Sequence, residues 1–308
     1  IIGAASSGVS LTVIDKITSN GVVQFSPANT APALTTYEDN GLYFRNSPSD
    51  VLQGAVIAAQ AVDSGITKMA VIARQDPYGE GLAAATAKDF EAAGGTVTSN
   101  LLYDPAAPSF EAEVAEIKAG GPEAVAVIGF EESVKLIQEM IKQGVGPQDI
   151  QIYLVDGNLS ATAFENFPAD TMTGVIGTIP TGSVDLQAFY DKMAEFDPSL
   201  TDYTYGPQSY DAAMVIALAA EAAGCADGTA IAAELPNVAG NGGEKCSTYA
   251  DCVALIQAGT DIDYEGVTGS VDFNEYGDLA EGTISVNEYS SNTEFSEIGS
   301  VTAVVPLP

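Results

Sequence analysis

The chain has 308 residues, 46% hydrophobic and 17% charged, which is enough apolar material for two domain-sized cores. Ten Lys plus Arg against 42 Asp plus Glu give a formal net charge of −32, and a surface of that sign repels nucleic acid and anionic membrane faces alike. With no histidine, a serine–histidine triad and histidine-ligated zinc are both excluded, and no apolar run approaches the roughly 18 residues of a membrane span.

The chain opens on Ile1-Ile2, a β-branched strand start, then passes through a small hydroxyl-rich turn, Gly3-Ala4-Ala5-Ser6-Ser7-Gly8. Neither a secretion leader nor a lipid-anchor cysteine stands at this start, and the chain is expected to begin partway into a longer protein. A helix is predicted from Val9 to Ser19 and a strand from Val22 to Phe25. A second uncharged turn follows, Ser26-Pro27-Ala28-Asn29-Thr30-Ala31-Pro32. Strands are then predicted at 42–45, 68–73, 96–103, 124–128, 150–155 and 174–179, and helices at 50–64, 79–93, 109–119 and 132–143. Apolar runs of about five spaced by helices of about twelve indicate a parallel sheet with right-handed crossovers.

After Pro180 the pattern changes to helices at 186–196, 208–223 and 229–235, a glycine-rich loop at 239–243, a helix to about 258, and strands at 269–273 and 282–286. No low-complexity linker or compositional boundary divides the chain, so two lobes would have to interleave. Cys246 and Cys252, six apart, read as a short-loop disulfide or as two free thiols at a helix start. Cys225 reads as a buried thiol. The stretch 261–272 nearly fits a calcium loop, but it ends in Asp where Glu is needed and leads into β-rich sequence.

The two uncharged turns lie at the carboxyl ends of neighbouring strands, where open α/β sheets bind ligands. Helix N-termini and hydroxyls hold a carboxylate without a buried cation, which suits a small zwitterion. Ser7 and Thr30 offer hydroxyls and Ala28 its carbonyl, although paired N-cap turns are ordinary in any α/β protein. Tyr78, in Asp76-Pro77-Tyr78-Gly79-Glu80-Gly81, can close over a ligand or be a surface tyrosine of a Pro-opened helix. Asp156, after the 150–155 strand, is placed to take an ammonium or to cap a helix. Phe130 lines a ligand or packs in the core, and Tyr203 and Tyr205 reach the cleft or pack at the surface or in the core. No Gly-x-Gly-x-x-Gly follows a first strand and no serine has a visible base, so chemistry is not required.

Taken in order, Gly3-Ala4-Ala5-Ser6-Ser7, Ser26-Pro27-Ala28-Asn29-Thr30, Asp76-Pro77-Tyr78-Gly79-Glu80-Gly81, Asp156-Gly157, Gln208-Ser209-Tyr210-Asp211-Ala212 and Gly269-Ser270-Val271-Asp272-Phe273 with Gly277-Asp278 resemble the periplasmic-type substrate-binding proteins of branched-chain amino-acid ABC transporters. The Cys246–Cys252 insert is similar to the actinobacterial branch. The resemblance implies a type I periplasmic binding protein fold: two interleaved, doubly wound parallel-sheet lobes joined by a three-strand hinge. Lobe I would take residues 1–47 and 180–280, and lobe II residues 48–179 and 281–308. The family carries two further βα units before the segment aligned to Ile1; without them that strand is a bare edge.

The resemblance further implies that Ser7, Ala28 and Thr30 hold the ligand's carboxylate and amino group. Tyr78 would be the closing tyrosine and Asp156 the acid for the α-ammonium. Phe130 falls near a family aromatic across a one-residue gap, and Tyr205 is within reach of the cleft. The expected function is ligand capture by hinge closure for an importer, not catalysis, with an amino acid and a transporter permease as partners and neither cofactor nor metal. The location would be extracytoplasmic, with any membrane attachment through an anchor outside this sequence. An amide- or urea-binding relative, a ligand sensor and a surface-assembled subunit are the alternatives.

Overall fold

A computed structural model of the chain describes residues 1–240 and 242–308, so Asn241 of the predicted glycine-rich loop lies outside the described residues. In chain order, α1 (Ser7–Thr18), β1 (Gln24–Ser26) and β2 (Tyr43–Arg45) come first. A long α/β run follows: α2 (Asp50–Asp63), β3 (Lys68–Arg74), α3 (Pro77–Ala92), β4 (Thr96–Tyr103), α4 (Glu111–Gly120), β5 (Ala124–Ile128), α5 (Ser133–Gln143), β6 (Gln151–Val155) and β7 (Ile176–Thr181). Then come α6 (Gln187–Phe196), α7 (Gly206–Ala223), α8 (Gly228–Ala239), β8 (Glu244–Cys246), α9 (Tyr249–Gln257), β9 (Ile262–Gly266) and β10 (Gly269–Ser270). Two long strands close the chain, β11 (Glu281–Tyr289) and β12 (Phe295–Val304).

The chain divides into two compact units. The first holds Ile1–Ser49, Thr181–Thr283 and Thr302–Pro308; the second holds Asp50–Pro180 and Ile284–Val301. Sequence reading assigns all of 281–308 to the second. Residues 302–308 go to the first instead, because the Val305 N–H donates to the Ala280 carbonyl at 3.0 Å and the side chain packs against Gly282.

The second unit is an α/β sheet wound on both faces. Its strands run in the order β12-β11-β7-β6-β5-β3-β4. The pairs β4–β3, β3–β5, β5–β6 and β6–β7 are parallel. Side chains alternate across a strand, so one apolar run feeds two cores. Ala70, Ile72, Val125, Val127, Ile152 and Leu154 pack against α4 and α5 through Val114, Ile117, Leu136, Ile137 and Met140. Met69, Val71, Ala124, Ala126, Ile128 and Val155 face the other way, onto Ile57, Ala61, Leu82 and Phe90 of α2 and α3. Every residue of β5 is buried, as a strand covered on both faces requires.

The first unit starts with Ile1 and Ile2 laid along β1. The Phe25 N–H donates to the Ile1 carbonyl and the Gly3 N–H to the Phe25 carbonyl, at 2.9 and 2.7 Å. β1 pairs in parallel with β2, and β10-β9-β8 form a separate three-stranded sheet. Phe25 and Phe44 stack at 6.4 Å and pack on Val215, Leu218 and Leu235 of α7 and α8. On the opposite side Tyr43 packs with Ile14 of α1, Ala31 and Leu34. Asp211 on α7 is fully buried and accepts from Tyr264 Oη, the Val267 and Thr268 N–H groups and Thr268 Oγ1, at 2.6–2.9 Å. Burial pushes its carboxyl above the ordinary range, opposed by these four donors.

Cys246 and Cys252 are joined, with Cα atoms 5.4 Å apart. Cys225, expected in the core, is exposed: it lies beyond the α7 C-cap Gly224, in the turn to α8. The near-calcium stretch forms β9, which pairs with β8, and Lys245 bridges Asp263 and Glu265 across that pair. The disulfide staples the β8 end to the first turn of α9. Replacing both Cys246 and Cys252 by Ser should lower unfolding free energy by about 2 kcal/mol, the chain-entropy value for so short a loop; urea titration with and without reductant measures it.

Candidate functional site

The sheet order puts the candidate residues of the second unit side by side. Tyr78 opens α3 just after β3, Phe130 follows β5 and Asp156 follows β6, and these three strands are neighbours. Their loops therefore share the carboxyl edge of the sheet. Asp76 caps α3, its Oδ1 accepting from the Gly79 N–H at 2.9 Å, and Pro77 supplies the first helical position. Tyr78 is buried to 3% exposure and donates from Oη to Asp156 Oδ1 at 3.0 Å. Gln53 on α2 donates from Nε2 to the same oxygen at 3.0 Å and to Thr178 Oγ1 at 3.0 Å. Asp156 is thus a half-buried carboxylate with a phenol and an amide fixed upon it.

Phe130 completes this group. It stacks on Tyr78 with ring centroids 5.4 Å apart and planes within 7°. The Arg74 guanidinium carbon lies 4.0 Å from the Phe130 ring centroid. Arg74 also donates from Nε to Asp76 Oδ2 at 2.6 Å and from Nη1 to Glu132 Oε1 at 2.8 Å. Glu132 Oε1 accepts in addition from Tyr103 Oη and the Phe130 N–H, at 3.0 and 3.2 Å. Burial and then this carboxylate push the Tyr103 phenol well above its ordinary range, so it remains a donor. A cavity of about 290 Å³ opens beside the group, walled by Phe130, Val134, Ala163, Phe164 and the Gly157-Asn158 turn.

In the first unit, Ser7 begins α1 and the Pro27–Ala31 loop leaves β1. Ser7 Oγ accepts from the Thr30 and Ala31 N–H groups, at 3.4 and 3.3 Å. Ser7, Ala28 and Thr30 are brought together but lie at 3%, 8% and 1% exposure. The Ser7 oxygen is taken up by the loop, and its own O–H is the group it can offer. Asn29 ties the two turns: Nδ2 donates to the Ala4 and Ala5 carbonyls at 3.1 and 2.8 Å, and Oδ1 accepts from Tyr43 Oη at 3.0 Å. Ser26 Oγ accepts from the Ala28 and Asn29 N–H groups and donates to the Ala4 carbonyl. Tyr205 is the N-cap of α7, half-buried, in the left-handed region at φ 60°, a conformation uncommon outside glycine. The turn after it is fixed by Asn46 Nδ2, which donates to the Gln208 carbonyl at 2.8 Å.

Sequence reading missed Gln53, Arg74, Asn29 and Arg45. One signal could have found two of them: the chain has two arginines, Arg45 and Arg74, and each ends a strand beside a candidate loop. Among the described residues, no group of three Asp, Glu or Cys could hold a metal ion.

The sequence model of the family described as periplasmic binding protein matches residues 1–278. The chain belongs to this family. Among curated relatives, the Leu/Ile/Val-binding protein homolog 1 of Brucella abortus (strain 2308) is 30% identical over 235 residues, covering 74% of this chain and 61% of the relative. The chemotactic signal transduction system substrate-binding protein BasB of Halobacterium salinarum is 27% identical, covering 88% of this chain and 65% of the relative. The chain thus spans about three-fifths of the length of the Brucella relative. Among solved structures, a leucine binding protein from Thermotoga maritima superposes with a TM-score of 0.79 at 22% identity, over 98% of this chain and 79% of that one. The fold is that of the type I periplasmic binding proteins.

Gly157 is packed so that an added Cβ would lie 2.5 Å from the Gly129 carbonyl oxygen and 2.6 Å from the Phe130 ring. Gly157→Ala should displace the Phe130 and Asp156 turns and cost about 1–3 kcal/mol; urea unfolding, together with the ring resonances of Phe130 and Tyr78, reports both effects.

Proposed function

We propose that this chain is the solute-binding component of an ABC importer and takes a small amino acid, of branched-chain type, by closure of its two units on the ligand. The observation that carries this reading is the Asp156 carboxylate, oriented by Tyr78 and Gln53 at the carboxyl edge of a parallel sheet. Tyr78 and Gln53 hold that carboxylate in a fixed orientation, in which it would accept from the ligand's ammonium. The uncharged loop Ala28–Thr30 with Ser7 would receive the ligand's carboxylate, and Tyr205 would cover it. The apolar side chain would lie against Phe130, whose adjoining cavity of about 290 Å³ is large enough for it. The names of the Brucella and Thermotoga proteins support the branched-chain class.

The working location is extracytoplasmic, consistent with the Cys246–Cys252 disulfide, which persists in oxidising compartments. A lipid anchor and a permease partner complete the proposal. The Halobacterium relative favours one second reading, in which the same ligand-binding unit serves a chemotactic receptor. Ligand chemistry is shared by the two; the membrane partner separates them.

A thermal-shift screen of the twenty amino acids with urea and short amides tests the ligand class. Leucine, isoleucine or valine should raise the melting temperature, since binding to the native state stabilises it by mass action; a response confined to uncharged amides overturns the reading. Asp156→Ala should weaken amino-acid binding by about 2–4 kcal/mol through loss of a buried charge partner. Isothermal calorimetry showing wild-type affinity in this variant discards the role given to Asp156.

A further inference from the structure

Arg45 is the largest fully buried side chain of the protein, at 0% exposure, in a chain whose Lys and Arg number only ten. A guanidinium has five N–H donors in a rigid plane, and here each has an acceptor. Nε and Nη2 meet the two oxygens of Asp278, at 2.6 and 2.7 Å. The second Nη2 hydrogen goes to Thr35 Oγ1 at 2.8 Å, and Thr35 in turn donates to Asp278 Oδ2 at 2.7 Å. The two Nη1 hydrogens go to backbone, to the Ala31 carbonyl at 2.9 Å and the Asn29 carbonyl at 3.4 Å.

The last two bonds bracket Thr30. The carbonyls before and after it are turned toward Arg45, while its own N–H and that of Ala31 turn toward Ser7 Oγ. The Asn29–Thr30 peptide is therefore held from both sides, its carbonyl by Arg45 and its N–H by Ser7, while Ser7 holds the next peptide through the Ala31 N–H and Arg45 the one after it through the Ala31 carbonyl. Asp278 neutralises the cation bidentately, which lets it sit in a dry interior. The acid comes from the turn after β10, over 200 residues along the chain from Arg45. Ion pairing alone does not demand this geometry. A lysine carries the charge but has no planar fork to grip Asp278 and two carbonyls together.

We infer that Arg45 is a positioning residue for ligand binding: with Asp278 as counter-charge, it fixes the Ala28–Ala31 loop in the shape that meets the ligand's carboxylate. The inference rests on the proposed amino-acid site, and it deepens that reading by naming the group that shapes half of it.

Three variants separate shape from stability. Arg45→Lys keeps the charge and loses the fork. Arg45→Met with Asp278→Asn removes both charges, so no unpaired ion is buried and the fold is spared. Cys246→Ser with Cys252→Ser destabilises the same unit at a remote point. Calorimetry with L-leucine, L-isoleucine and L-valine well below each melting temperature should give a dissociation constant raised at least tenfold for the first two variants, with unchanged stoichiometry, and a wild-type constant for the cysteine variant. Native-state hydrogen exchange of the ligand-free proteins should show the Thr30 and Ala31 amides exchanging at least tenfold faster in the two arginine variants only. Wild-type affinity and wild-type exchange in folded Arg45→Met/Asp278→Asn overturn the inference. If the wild-type chain binds none of the three amino acids, the functional reading fails, and the exchange experiment still decides whether Arg45 sets the loop.

Discussion

The structure depends on how a strongly acidic chain places its few cations. Eight lysines and two arginines serve 42 acidic residues, so solvation rather than pairing must satisfy most carboxylates. The two guanidiniums are instead spent inside, where hydrogen-bond geometry matters more than charge. Arg45 ties a loop, a strand and a distant turn in the first unit. Arg74 lies over Phe130 and grips Asp76 and Glu132 in the second. Each stands behind residues expected to touch a ligand, and neither lies among the residues expected to touch it. A site that must accept a carboxylate and an ammonium gains selectivity when its own cations are already engaged with protein acceptors.

Asp156 is the counterpart of that arrangement. Its Oδ1 accepts from Tyr78 Oη and Gln53 Nε2. A carboxylate oxygen held by two side-chain donors loses much of its freedom to turn away. Phe130, stacked on Tyr78, limits how far that phenol can swing. The orientation of one acid therefore depends on a helix cap at Asp76, an aromatic pair and a buried glutamine from α2, all brought to one edge by the strand order β6-β5-β3.

Much of this was legible in the sequence where burial dictates residue type. β5 was read to its last residue, because a run of five apolar residues between helices fits only a strand covered on both faces. The alternation of helices and strands gave the doubly wound class for the same reason. Strands with polar or exposed faces were missed: β8, β9 and the mostly exposed β12 carry no apolar run to announce them. Cys225 was misplaced because an alanine-rich helix before it suggested core, whereas Gly224 ends that helix first. At the site, loop residues at strand ends could be proposed from position alone. Gln53 and Arg45 could not, since their partners lie over 100 and over 200 residues away in sequence, at Asp156 and Asp278.

The Ser26–Ala31 turn also bears on the thermodynamics of capture. Ser26 Oγ, the Asn29 side chain, the N–H groups of Ala28 to Ala31 and the Asn29 and Ala31 carbonyls are bonded within its own unit, to Ala4, Ala5, Ser7, Ser26, Tyr43 and Arg45. The conformational entropy of ordering this segment is surrendered when the polypeptide folds, not when a solute arrives. A guest would then meet a rigid receptor surface on this side, and the heat and entropy of its uptake would come chiefly from desolvation and from whatever larger movement accompanies it.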